Sequence, residues 1–153
     1  ERIGIPLTTC ALLLEGWAMH QLSERWASTR TCRVAKSFWP RLDRRRSRDI
    51  LGMTKCHLSN FVGIITGHCP RGTHAVRLGI TSSPFCDSCM EDEVESSQHM
   101  LLSCPAFAGL RFKYLGSHFF SAPADIAGVN NKNLMNYISS IMRLTQPRTS
   151  HRS

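Results

Sequence analysis

Four side chains that bind soft metal cations fall within 19 residues of one another: Cys86, Cys89, His99 and Cys104. Their spacing, Cys-x2-Cys-x9-His-x4-Cys, opens with a Cys-x-x-Cys turn that lets both sulfurs reach one ion. Three thiolates and an imidazole make a closed tetrahedral set for one Zn²⁺. Catalytic zinc keeps a coordination position free for water, so the pattern is that of a structural site. A helix beginning near Ser97 would set His99 and Cys104 about one and a half turns apart. The break at Pro105 is therefore expected to matter in bringing Cys104 to the metal. Asp87, Ser88 and the acidic residues 91–93 mark an exposed polar loop between the ligands. His68 and Cys69, with His74 nearby, are competing ligands, although an adjacent pair chelates poorly. Cys10, Cys32 and Cys56 read as small apolar fillers.

The chain holds seven cysteines, an odd number that a complete disulfide framework cannot use. It also lacks the basic segment, apolar core and small-residue cleavage site of a secretion signal. Reduced thiols in an intracellular compartment, nuclear or cytoplasmic, with metal binding ahead of disulfides, are the better expectation. No apolar run approaches the ~18 residues that span a bilayer. Residues 61–65 are typical of the longest, so a soluble protein without a membrane partner is expected. A start at Glu1 rather than methionine suggests a fragment.

The second chemically pointed feature is charge. Residues 1–80 carry 13 Lys/Arg against 5 Asp/Glu, whereas residues 81–153 carry 6 of each, so all the excess basicity lies in the first half. Such a field favours anionic partners, nucleic acid foremost. Its centre is Arg41, Arg44, Arg45, Arg46 and Arg48, five guanidinium groups within eight residues. As functional groups they would contact phosphates and displace counterions; the plainer alternative is a solvated loop. Trp26, Phe38 and Trp39 nearby could stack on unpaired bases or simply fill a core.

The elements that must position these groups are mostly helical, and the expected fold class is a small, mainly α domain with one CCHC zinc site in a loop-helix segment. Residues 7–28 form the first helix, capped by Thr8 or Thr9, with Leu14, Ala18, Leu22 and Trp26 recurring as a core-facing stripe. Residues 30–40 lack a helical period and read as an extended arm stopped by Pro40. Ser47 is placed as the cap of a short helix through Met53. An apolar segment over 58–66 carries Phe61, Val62, Ile64 and Ile65 and ends at Gly67, and a short helix over 71–78 stops at Gly79. Pro105 opens a helix closed by Gly116. After a loop over 117–128, Asn131 or Asn133 caps a last helix carrying Leu134, Ile138, Ile141 and Met142 on one face. The tail 146–153 is expected to fray. Four regions follow: a linker over 1–6, a basic helical region over 7–83, the zinc segment and following helix over 84–120, and a C-terminal helix with tail over 121–153. Because the loop from Pro84 to Cys104 carries few apolar residues, metal and folding are expected to be coupled locally, with the first helix and residues 58–66 burying each other without the metal.

Several motifs together resemble a known family. Thr66-Gly67-His68-Cys69, His74, Leu78-Gly79-Ile80 and the CCHC set ending in Cys104-Pro105-Ala106-Phe107 are similar to the segment after the RNase H domain in Jockey-like insect non-LTR retrotransposon reverse transcriptases. Gly4-Ile5-Pro6-Leu7-Thr8-Thr9-Cys10 resembles the linker leaving that RNase H domain, and Leu115-Gly116-Ser117-His118-Phe119 fits the downstream pattern. The likeness covers about residues 4–120; Arg2-Ile3 departs from a recognisable end of the RNase H domain. It implies a non-catalytic C-terminal piece of an RNA-directed DNA polymerase, with upstream polymerase and RNase H domains as partners and template RNA or target DNA as ligand.

Two other functions compete. A zinc-stabilised protein-interaction module is one, although RING-type domains use eight ligands for two ions and a single set is visible here. A zinc enzyme is the other. Nucleobase deaminases need His-x-Glu before Pro-Cys-x-x-Cys, whereas no histidine here has glutamate two residues on and Phe85 separates Pro84 from Cys86. His-Glu-x-x-His, a phosphate-cradling glycine loop and Gly-x-Ser-x-Gly are absent as well.

Overall fold

The computed structural model describes residues 4–145, so the expected tail and the first three residues of the linker lie outside the described residues. The chain is mainly helical and small, as expected. A single antiparallel bridge, Phe85 with Val94, is the one strand-like pairing among the described residues.

Helix α1, Leu7–Ser28, starts directly after Pro6, and Thr8 and Thr9 lie within it rather than capping it. The expected residues are helical, but their burial is not. Helix α1 contributes no buried residue, and Leu13, Leu14, Trp17 and Leu22 are all more than half exposed. The helix meets the rest of the molecule mainly through its second half. Trp26 packs against the core, Lys36 donates to the Ala27 and Thr29 carbonyls, and Arg44 pairs with Glu15. The core stripe assigned to α1 is therefore corrected: apolar residues cover far more than one face of this helix, and only the side holding Met19 and Trp26 turns inward.

Residues expected to form an extended arm instead make a short helix, α2 (Arg33–Phe38). It is too short to show a period in sequence, and it is fixed by Ala35 and a fully buried Phe38. The arginine run is also helical. Asp43 caps α3 (Arg44–Leu51) by accepting the Arg46 N–H at 3.1 Å, so Ser47, expected as the cap, sits one turn inside and donates to the Asp43 carbonyl.

Helix α4, Lys55–Thr66, is capped by Thr54 and buries Phe61, Ile64 and Ile65. Gly67 ends it in the left-handed region at φ 76°, a conformation that costs glycine nothing. Helix α5, Gly72–Arg77, is followed by Gly79, also at positive φ. After the Cys/His segment, a tight turn at Pro105–Phe107 leads into α6 (Ala108–Leu115), closed by Gly116. A further turn, Pro123–Ile126, places fully buried Ile126 in the core where a plain loop was expected. Asn130, one residue before the expected caps, accepts the Lys132 N–H and starts α7 (Asn131–Leu144).

Helix α7 carries the densest apolar face, with Leu134, Met135, Ile138 and Ile141 buried together with Tyr137. It packs with α6 and α4, while α2 rests on α4. One contiguous core forms from α2, α4, α7 and the Cys/His segment, whose Met100, Leu101 and Leu102 are buried beside Cys86 and Cys104. Among the described residues, no helix is long and apolar enough to cross a membrane.

Candidate metal centre

The Cys/His segment is a small hairpin running into a wide turn. The hairpin is fixed by Cys86 N–H to Glu93 O and Glu95 N–H to Pro84 O, both 2.9 Å. Met90 takes a positive φ at its tip. Ser96 Oγ accepts the His99 N–H at 3.0 Å and opens the following turns. Residues His99–Ser103 wind as a π-helical turn, and the Cys104 N–H bonds the His99 carbonyl five residues back at 2.7 Å. A turn closed between residues five apart brings the later residue round toward the earlier one, as π turns at functional sites often do. The sequence placed the useful break at Pro105; the structure places it one turn earlier, with Pro105 preventing continuation.

The outcome is one cluster. The ligand atoms of Cys86, Cys89, His99 and Cys104 lie within 4.8 Å of one another, and the group could hold one metal ion. Cys86 Sγ is 4.0 Å from Cys104 Sγ, and Cys89 Sγ is 3.5 Å from His99 Nε2. Burial pushes the Cys104 thiol up to about 12, with the charge of Cys86 adding to the rise, and burial lowers the pKa of His99. Such a thiol stays protonated at neutral pH unless a cation offsets its charge. The donor set therefore fits a divalent metal that binds as the protons leave.

His68, Cys69 and His74 do not join this group. Cys69 is buried, and burial raises its thiol pKa to about 11. It acts as a core filler. His68 is exposed and lies edge-on to His74, with ring centroids 5.3 Å apart. Cys32 and Cys56 are exposed rather than packed, and Cys10 is half-buried.

Four residues outside the ligand set hold the segment, and sequence reading did not single them out. Gly72, at φ 51°, lets α5 approach so closely that a Cβ there would sit 1.8 Å from the Glu95 carbonyl oxygen. Only glycine permits that contact. Arg71 binds Glu95 at 2.9 Å in a largely buried ion pair and donates to the Thr145 carbonyl, joining the hairpin to the end of α7. Arg111 is fully buried. Its guanidinium donates to the carbonyls of Leu101 at 2.9 Å, Cys104 at 3.0 Å and Met100 at 3.4 Å, and also to His118. Tyr137 Oη donates to the Met100 carbonyl at 2.7 Å. A π turn leaves carbonyls outside the regular ladder, and these side chains satisfy them.

The arginine run divides into different roles. Arg46 is half-buried, with its guanidinium 4.8 Å over the Trp39 ring and a bond to the Ala127 carbonyl. Arg44 is paired with Glu15 of α1. Arg41, Arg45 and Arg48 are exposed, and their guanidinium groups bond no other described residue. The aromatic neighbours are engaged within the protein: Phe38 is buried, Trp39 stacks on Phe61 (centroids 5.5 Å apart) with Arg46 over its ring, and Lys36 lies over Trp26. All three rings pack in or against the core, with Trp26 and Trp39 partly buried. Comparison with protein-family models, curated proteins and solved structures finds no match.

Proposed function

We propose that this chain is a zinc-braced, nucleic-acid-binding module without a catalytic centre of its own, of the kind found after the RNase H domain in non-LTR retrotransposon reverse transcriptases. The observation that carries the reading is the set of three exposed, unpaired arginines, Arg41, Arg45 and Arg48, held on and beside one short capped helix. A helix fixes the positions of its charges, so the arginines can contact successive phosphates without the ordering cost of a loop. In the full protein the module would assist template RNA or target DNA handling beside the polymerase and RNase H domains, inside the cell. This wider role rests on the resemblance of residues 4–120.

Zinc is the ion proposed, because three thiolates and an imidazole in tetrahedral reach suit it better than harder cations. Four protein donors also leave no position for a reacting water, so its role is structural. Native mass spectrometry of purified protein is expected to show one zinc per chain, absent in Cys89→Ser and retained in Cys56→Ser. Full zinc in Cys89→Ser would remove this assignment.

The nucleic-acid reading is tested by salt. Each phosphate contact contributes roughly 0.7–0.9 to the log–log dependence of affinity on salt. The variant carrying Arg41→Ala, Arg45→Ala and Arg48→Ala together is expected to lower that slope by about 2 to 3 units, similarly for unrelated sequences, with an unchanged melting temperature. Arg44 and Arg46 are left in place because their bonds support the fold. A second reading has its own observation: the exposed Leu13, Leu14 and Trp17 of α1 suit a protein partner. Wild-type binding to nucleic acid that is absent, or indifferent to salt, would hand the function to that zinc-stabilised interaction module.

A further inference from the structure

The arginines border a groove whose other wall is α1. It measures about 770 Å³, within the roughly 300–1,000 Å³ typical of clefts that hold small organic groups. Its apolar lining comes from Gly16, Met19, Trp39, Pro40 and Leu42, with Ala127 at one side. Its basic lining comes from Arg41, Arg44, Arg45 and Arg46. Asp43 also lines it, but its carboxylate is engaged in capping α3. The Arg44–Glu15 pair links the two walls.

Gly16 stands out within this lining. It lies in the interior of a 22-residue helix, where glycine is less favourable than alanine by about 1 kcal/mol. No crowding within the protein requires it, since a Cβ built there meets nothing within 4 Å. Its place in the lining leaves that part of the groove wall without a side chain.

We propose that this groove receives an unpaired base of a single-stranded nucleic acid whose flanking phosphates lie on Arg41 and Arg45. The proposal rests on the phosphate-binding reading above and narrows it to strands with accessible bases. An apolar interior rimmed by guanidinium groups matches a nucleotide, which joins a flat, weakly polar ring to an anion. Guanidinium planes also stack on bases. The ring of Trp39 is already engaged by Phe61 and Arg46, so the base is held chiefly by apolar side chains and arginine planes. A duplex keeps its bases paired and would have to unstack one before it could enter.

The test uses the full chain with its metal and four probes: an oligothymidylate strand, an abasic strand of equal length, a duplex, and poly-glutamate. Wild type is expected to bind the oligothymidylate roughly tenfold more tightly than the abasic strand, the scale of one base contact. Gly16→Leu fills the groove without removing charge, and it is expected to lower oligothymidylate affinity to the abasic level while leaving the salt slope unchanged. Gly16→Ala, with matching circular dichroism and metal content, should bind nearly as wild type. Equal affinity of wild type for oligothymidylate and abasic strands, or a folded Gly16→Leu that binds as wild type, overturns the groove and leaves the phosphate reading standing. Binding of poly-glutamate that Gly16→Leu abolishes assigns the groove to an acidic peptide and overturns the proposal. Failure of every nucleic-acid probe to bind removes both readings.

Discussion

Stripping the metal with a chelator is expected to unfold most of the core, well beyond the ligand loop. Cys86 and Cys104 are buried in the same apolar cluster as Met100, Leu101, Leu102 and Phe107, and that cluster continues into α4 and α7. Structural zinc contributes apparent binding energies of about 10–16 kcal/mol, comparable with the entire ~5–15 kcal/mol stability of a typical domain. Without the cation, the three thiols and the imidazole face one another with only weak mutual bonds at 3.5–4.0 Å. The π turn then loses its anchor, and with it the carbonyls that Arg111 and Tyr137 hold. Hydrogen exchange should show protection falling across residues 84–115 and 131–144 together. Helix α1, with no buried residue, should exchange readily in both states. This differs from the sequence-based expectation of a local effect over 84–104 with the first helix spared by packing. Cys86→Ser should reproduce the loss and Cys56→Ser should not. A chelated protein with an unchanged thermal midpoint and exchange changes confined to the ligand loop would show that the core stands without the ion.

That revision shows what sequence can and cannot carry. The ligand set was legible because metal chelation is encoded in residue type and short-range spacing, and the structure gathers all four residues. Helices α5 to α7 were legible through the stops Gly79 and Gly116 and through the periodic apolar face of α7, whereas α4 showed only as an apolar segment ending at Gly67. The environment of α1 was not, because periodicity reports an apolar stripe and says nothing of whether a partner covers it. Trp17 and Leu14 look like core residues in the sequence and are exposed in the fold. The helical state of the arginine run did leave a signal: Asp43 is a good cap, and arginine is a good helix former. A run of charge nonetheless reads as a loop, which masks that signal. Glu15 and Trp39, which divide the arginines into paired and free, lie too far from some of them in sequence for any local pattern to reveal. Arg111 was hidden more completely. A lone arginine on a mixed helix looks like a solvated residue, and only the tertiary structure shows it enclosed.

Replacing Arg111 with methionine is expected to have an effect nearly as large as losing a ligand. The side chain is fully buried, and its partners are the carbonyls of Met100, Leu101, Cys104 and His118. Methionine fills similar space but donates nothing, so the Leu101 and His118 carbonyls lose the donor that Arg111 supplies, while Met100 keeps the Tyr137 hydroxyl and Cys104 keeps the Phe107 N–H. Each buried acceptor left without its donor costs about 1–3 kcal/mol, and the weakened bonding of the other two carbonyls brings the total to about 3–5 kcal/mol. For a chain of this size that corresponds to a fall of roughly 6–20 °C in melting temperature. A second consequence concerns the metal. Three thiolates around a divalent ion with a neutral imidazole leave one net negative charge, and the Arg111 guanidinium, bonded to the carbonyl of the ligand residue Cys104, supplies a nearby positive one. Loss of such a supporting group typically weakens metal affinity about 10–100-fold. Competition with a chromophoric chelator should therefore show weaker zinc binding in Arg111→Met even at temperatures where the variant is folded. Arg111→Lys separates the two contributions. It keeps the charge but cannot reproduce the fork of donors, so it should recover much of the metal affinity and little of the melting temperature. A methionine variant that melts as wild type and holds zinc equally well would leave the buried guanidinium without a role in either.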